Sequence, residues 1–344
     1  MARNGAAEVT VVVVTWNQRE LVLACLQSLV RQTIPCHILV VDNASSDGSA
    51  DAVQTAVPAA EIIRLTENTG FAGGVAAALP RVRTRFVALL NNDAVADPRW
   101  LEESLAQLDD PTVAAVAAKM LLLDDEPADE QPPTTPERVN NAGVVLLVTG
   151  YGADRGLGEA DTGALTQPAE VFGFSGGAAV LRTMAVLAVG GISPEWFMYY
   201  EDTDLAWRLR LAGWRVVYEP TAVVHHRHAA SSDVRSEMFA FYNERNRLLT
   251  LARNAPTTVT ARAAGRFVVT TVSLSAKRLL GRSVPPEPVF DPALRLRVMA
   301  RTLKAWPGVA RERHEAPRQR SRREVWREWS GVPARPPHPG AKPA

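Results

Sequence analysis

From residue 9 to residue 123, continuous apolar runs alternate with amphipathic stretches. Val9–Thr15 is unbroken and largely β-branched, the pattern of a strand buried on both faces. Glu20–Arg31 places apolar side chains at Leu21, Leu23, Cys25, Leu26, Leu29 and Val30, the spacing of a helix with one buried side. The alternation continues with strands at Ile38–Val41, Ile62–Leu65 and Phe86–Leu90. Helices fall at Ser49–Val57, Gly73–Leu79 and Pro98–Leu108, and a further strand lies within Val113–Leu123. Strand–helix alternation of this kind predicts an α/β protein with a mainly parallel central sheet flanked by helices.

The second half is less regular. Residues 124–138 are acidic and proline-rich and read as an exposed loop. Asn140–Val148 is strand-like, Tyr151–Glu170 is rich in Gly and Asp and reads as irregular, and Val171–Leu181 is apolar and small. Asp204–Leu211 reads as a helix capped at Thr203 or Asp204 and ended by Gly213. Trp214–Tyr218 and Ala222–His225 are short extended segments around Pro220. The expected organisation is a catalytic unit over residues 1–233, a helical extension over 234–281, and a Pro/Arg-rich, partly disordered tail over 282–344.

Candidate chemistry collects where apolar runs end, as it does in open α/β sheets. Thr15 and Asn17 follow the first strand and can hydrogen-bond a ligand. Asp42 ends the second; a carboxylate there can accept the imide N–H of a pyrimidine and must otherwise be solvated or paired. Glu67-Asn68-Thr69-Gly70 runs into a glycine-rich helix start that favours an anion. Asn91-Asn92-Asp93 ends the fourth strand, and Asn91 with Asp93, spaced i and i+2, offers oxygens to a hard cation. Further on, Ser175-Gly176-Gly177 precedes the aromatic segment Trp196-Phe197-Met198-Tyr199-Tyr200. That segment leads into Glu201-Asp202, where aromatic rings beside carboxylates suit a sugar face and a general base of raised proton affinity. His225, His226 and His228 close an apolar strand and are candidate metal or diphosphate contacts.

Bulk properties narrow the class. A net charge of +1 argues against a dedicated nucleic-acid binder. Two cysteines, Cys25 and Cys36, show no disulfide framework and read as reduced thiols of a cytosolic protein. No signal peptide is expected, and Arg182 interrupts the best apolar stretch, so any membrane contact is expected to be peripheral. Residues 260–281 and the basic 311–327 segment mix cations with apolar side chains and are candidates for it.

The ordered run VVVVTWN, VDNASSDGS, ENTGFAGG, LLNNDA, GFSGGAAVLR and YYEDTDLAWRLRLAGW, followed by PTAVVHH, resembles family 2 glycosyltransferases of the GT-A fold over roughly residues 8–250. It is most similar to the rhamnosyltransferase-like branch. The resemblance implies inverting transfer from a nucleotide-diphosphate sugar, best matched by L-rhamnose from dTDP-rhamnose, with a UDP-hexose as the alternative donor. The implied acceptor is a hydroxyl of a glycan or polyprenyl-diphosphate-linked saccharide in cell-envelope polysaccharide synthesis. The implied setting is the cytoplasm or the cytoplasmic face of the plasma membrane. Carried over residue by residue, Thr15, Asn17 and Asp42 would hold the nucleoside, Asn68 and Gly70 would line its pocket, and Asn91 with Asn92 would face the donor. Asp93 and His226 would bind Mg²⁺ or Mn²⁺, with His225 as the fallback. Asn91 stands where the family's acidic motif often begins with Asp. Gly176 and Gly177 would lie under the donor sugar or acceptor, and Asp202, beside Glu201, matches the catalytic base. A nucleotidyltransferase would instead need a glycine-rich, Arg-containing loop after the first strand, which VTWNQRE lacks.

Overall fold

The computed structural model describes residues 7–123, 136–227 and 235–335. Most of the acidic loop read at 124–138 lies outside the described residues, as does His228. The first half alternates β1 (Val9–Thr15), α1 (Arg19–Val30), β2 (His37–Asp42), α2 (Ser49–Ala56), β3 (Glu61–Arg64), α3 (Gly70–Ala78) and β4 (Phe86–Leu90). A short β5 (Ala94–Ala96), α4 (Trp100–Gln107) and the long β6 (Val113–Leu122) follow. Three small strands come next, β7 (Val139–Asn141), β8 (Val144–Leu146) and β9 (Gly152–Asp154), then β10 (Ala169–Glu170), β11 (Ala178–Arg182) and α5 (Thr183–Ala188). The chain continues through α6 (Glu201–Leu211), β12 (Arg215–His226), α7 (Glu237–Asn254), α8 (Thr257–Leu279), α9 (Pro292–Glu315) and α10 (Arg322–Trp329).

The main sheet runs β10-β12-β6-β11-β4-β1-β2-β3. The pairs β1–β2, β1–β4, β2–β3 and β6–β12 are parallel, while β11 lies antiparallel between β4 and β6. The α/β reading therefore holds, with a mixed rather than wholly parallel centre. β1 shows why it is buried on both sides: Val12 and Val14 enter one core cluster, and Val9, Val11 and Val13 enter the other. The two segments read around Pro220 are a single strand, β12, with an irregularity between Glu219 and Val223 that accommodates the proline. The carboxyl ends of β1, β2 and β4 emerge along one side of the sheet, and the end of β12 joins them through its pairing with β5.

Composition beyond residue 282 suggested a tail; the structure carries two helices there. α9 is set by an inward stripe of Leu294, Val298, Thr302 and Val309, with Asp291 capping its first turn. Its buried Arg295 is masked by Thr271 Oγ1 and the Phe267 and Val289 carbonyls. α10 opens with a capping box between Ser321 and Glu324 and delivers Trp329, fully buried, against Phe172 and the guanidinium of Arg210. Four of the arginines that make this region look solvated are thus engaged, Arg295, Arg313 and Arg322 with carbonyls and Arg335 over the Trp329 ring, which a composition count does not register.

Candidate active site

The strand ends open into a cleft of about 550 Å³. Asn43, the residue after β2, organises one wall. Its amide donates to Asn68 Oδ1 and the Gly70 carbonyl, both at 3.0 Å, and its Oδ1 accepts from the Thr69 amide at 2.9 Å. Gly70 sits at φ 71°, and a Cβ there would overlap the Phe197 carbonyl, so the glycine permits close approach of the aromatic segment. Trp16, more than half exposed, stands at the lip.

A second wall is built by β4 and β12. Asp93 Oδ1 lies 3.1 Å from His226 Nε2, and Asn91 Nδ2 lies 3.2 Å from the same nitrogen. His226 Nδ1 is 2.9 Å from Asn140 Oδ1. The Asn140 carbonyl thereby assigns the proton to Nδ1 and leaves the Nε2 lone pair facing Asp93. The neighbouring His225 points the other way, toward Glu137 and Asp97, because side chains alternate along a strand. This removes it as the fallback. A divalent cation fits the Asp93–His226 pair: cis ligands of an octahedral ion at bond lengths of ~2.1 Å stand about 3 Å apart. Among the described residues no third His, Cys, Asp or Glu joins them. That is the donor count expected for an ion completed by water and substrate phosphates.

The third wall is the start of α6. The helix begins at Glu201, three residues earlier than the sequence indicated, and its N-cap is Tyr200 in the left-handed region. Asp204 is therefore not a cap. It is buried, bonded to Arg208, Arg253 and Asn254; burial alone would raise its pKa, but these partners hold it below the ordinary range. Asp202 opens toward the cleft and accepts the Gly176 amide at 2.8 Å and the Thr203 amide at 2.5 Å. Burial pushes its pKa up against those two bonds, and Asp154 pushes in the same direction. Burial, with the charges of Asp202 and Asp204, raises Glu201 well above the usual carboxylate range, and Glu201 Oε2 has no hydrogen-bond partner among the described residues. Gly176 and Gly177 lie between this wall and the second. A Cβ on Gly176 would press on Phe71, and one on Gly177 would press on Met120 and Asn91.

The aromatic segment is strained: Phe197, Tyr199 and Tyr200 adopt φ values of 60°, 66° and 71°. Asn246 of α7 holds it, donating to the carbonyls of Trp196, Met198 and Tyr199 at 2.7, 2.8 and 2.8 Å. Thr250 accepts the Trp196 indole N–H at 3.1 Å. From the opposite side, the Gly152 amide donates to Tyr200 Oη at 3.2 Å.

Of the residues read from sequence, Asn68, Gly70, Asn91, Asn92, Asp93, Gly176, Gly177, Glu201, Asp202 and His226 line the one cleft. Thr15, Asn17 and Asp42 do not; they knit the loops behind its lip. Thr15 Oγ1 donates to the Asn17 carbonyl, Asn17 Oδ1 accepts the Ser46 amide, and Asp42 Oδ1 accepts the Ser45 amide. Sequence reading missed Trp16, Asn43, Asn141, Asp154 and the Asn246 brace. Asn43 was within reach: it directly follows Asp42, and only one of two successive side chains at a strand end turns toward the site.

Residues 6–247 match the family described as glycosyltransferase like family 2. A pre-mycofactocin glycosyltransferase of Mycobacterium tuberculosis is 31% identical over 209 residues, which is 59% of this chain and 40% of that protein. An N-acetylglucosaminyl-diphospho-decaprenol L-rhamnosyltransferase of the same organism is 43% identical over 70 residues, 20% of this chain and 23% of that protein. The chain thus spans less than half the length of either relative. The solved structure of GalNAc-T7 with UDP, GalNAc and Mn²⁺ is similar with a TM-score of 0.65 over 95% of this chain and 57% of that one, at 10% identity. That likeness is one of fold, and it bears out the GT-A architecture expected from the motifs.

Proposed function

Because the chain belongs to the glycosyltransferase-like family 2, we propose that it moves a sugar from a nucleotide-diphosphate donor to an acceptor hydroxyl in a single inverting displacement. The observation that carries this reading is one cleft holding both the Asp93–His226 pair and the half-open Asp202, whose proton affinity is raised. A rhamnosyl donor such as dTDP-L-rhamnose is preferred, on the strength of the similarity to a rhamnosyltransferase; a UDP-hexose is the alternative. The acceptor is a glycan or a polyprenyl-diphosphate-linked saccharide, and the setting is cytoplasmic.

In this mechanism Asp93 and His226 would hold a divalent cation, Mg²⁺ or Mn²⁺, which would supply charge neutralisation for the leaving diphosphate. Asn140, paired with His226 Nδ1, orients the imidazole, and Asn43 with Asn68 shapes the nucleotide end, where Thr15, Asn17 and Asp42 support the loops around the base. Asp202 accepts the proton of the attacking hydroxyl. The amides of Gly176 and Thr203 fix its two oxygens, so its lone pair is aimed before the acceptor arrives. Burial and the neighbouring Asp202 raise the proton affinity of Glu201, which disfavours a second charge beside the anionic donor. No covalent intermediate is required. A donor panel of dTDP-rhamnose and several UDP- and GDP-sugars, each with Mn²⁺ and with EDTA, tests the proposal. EDTA-sensitive turnover of one donor supports it and names the sugar. Absence of turnover, together with absence of nucleotide-diphosphate binding, refutes it.

A further inference from the structure

Helices α8 and α9 each carry two apolar stripes, of which the fold covers one. In α8, Thr260, Ala263, Phe267, Thr271 and Leu274 face inward, and Phe267 packs with Leu294 and Val298 of α9. On the opposite side the same three- and four-residue spacing recurs in Val269, Val272, Ala276 and Leu279, all exposed. Val269 is 69% exposed and Leu279 88%. In α9, Leu296, Ala300, Leu303 and Pro307 form a second outward stripe with Trp306 beside it; Leu303 is 68% exposed. A surface helix is ordinarily polar opposite its buried stripe, so repeated apolar positions on the outer side mark a surface that meets something.

The charge around the stripes identifies the partner. Residues 257–286 contain no Asp or Glu, and α9 contains none before Glu312. Arg262, Arg266, Lys277, Arg282, Arg301 and Lys304 make no ion pair among the described residues. We infer that the outer faces of α8 and α9 rest on an anionic lipid surface, with the apolar stripes in the headgroup–acyl boundary and the cations on lipid phosphates. No helix among the described residues is long and apolar enough to cross a membrane, so the contact is that of helices lying in the interface. A second copy fits these faces poorly, because self-complementary pairing would set the same unpaired cations against one another. In the later basic segment Arg313 and Arg322 are turned inward: Arg313 donates to the carbonyls of Ala252 and Ala255, and Arg322 to that of Arg313. The exposed apolar stripes place the membrane surface on the outer sides of α8 and α9.

The test is co-sedimentation of the full chain with extruded vesicles at low salt, comparing pure phosphatidylcholine with phosphatidylcholine containing phosphatidylglycerol. The wild type is expected to pellet only with the anionic vesicles. Val269→Ser with Leu303→Ser, and separately Arg301→Glu with Lys304→Glu, are each expected to lower that binding about tenfold or more. All four positions are exposed, and unchanged thermal melting verifies that the variants fold. Failure of the wild type to bind, or binding that neither pair alters, overturns the inference. So does a wild-type dimer in solution that the serine pair splits, because the stripes then meet a second copy. The assay uses neither donor nor acceptor, so its failure leaves the transferase reading standing, and the donor panel can fail without touching this result.

Discussion

Asn246 is fully buried, lies about fifty residues from the segment it braces, and shares its two amide protons among the carbonyls of Trp196, Met198 and Tyr199. Asn246→Ala removes those donors. The amide carries two protons and a neutral hydrogen bond contributes roughly 1 kcal/mol net, so the carbonyls together lose about 2 kcal/mol. The segment has a second outlet, because Phe197, Tyr199 and Tyr200 at positive φ each store ~1–3 kcal/mol that relaxation would release. If the backbone relaxes, the stability loss shrinks and Asp202, at the end of that segment, moves instead. A displacement near 1 Å lowers turnover on the order of 100-fold. Urea unfolding and initial rates measured on the same preparation therefore trade against each other, and at least one must fall. Nucleotide affinity should hold within about threefold, because the Asp93–His226 wall stands on β4 and β12. Asn246→Asp, which keeps the shape but points acceptors at carbonyls, should do no better than alanine. An alanine variant with unchanged unfolding and turnover within about threefold of wild type would refute the bracing role.

Asp202→Asn should leave nucleotide binding nearly intact and lower kcat by roughly 10²–10⁴-fold; near-normal turnover in initial-rate assays excludes the base assignment. Asp93→Ala and His226→Ala should each abolish the gain in nucleotide-diphosphate affinity that Mn²⁺ gives over EDTA in calorimetric titrations, and a preserved gain removes these residues from the metal site. Asp202 must be ionised to act, and burial followed by the charge of Asp154 raises its pKa, so the rate should climb as pH rises through that raised value. Asp154→Asn removes one raising influence and should move the acid limb of the kcat profile to lower pH; a limb that stays or moves up contradicts the coupling. Glu201 holds its proton in the folded state to higher pH than it does unfolded. Stability should therefore decline as pH rises from the ordinary Glu value of about 4.3 through the raised folded value. Glu201→Gln should flatten that decline in urea unfolding at several pH values, and equal slopes would dismiss the effect.

What could be read from sequence was whatever one strand end announces by itself. Asn91, Asp93 and His226 each terminate an apolar run, and a polar group placed there must find a ligand, a partner or water. What could not be read depends on two elements meeting. Asn141 and Asp154 face the cleft from β7 and β9, strands so short that no periodicity marks them. Asp204 looked like a cap because acidic residues ahead of a helix usually are; its carboxylate is instead neutralised by Arg253 from α7, far along the chain. The same helix supplies Asn246, and a side chain that clamps distant carbonyls leaves no local signature at all. The site divides accordingly. The wall that would hold the diphosphate is built from strand ends and is legible, while the wall that would hold the acceptor and its base is positioned by α7. α7 in turn packs on α9, whose outer side is the surface assigned here to lipid. Specificity for the acceptor should therefore respond to changes in α7 and α9 more strongly than donor affinity does, because Asp93 and His226 stand on β4 and β12 and meet the acceptor wall through the Gly176–Gly177 loop.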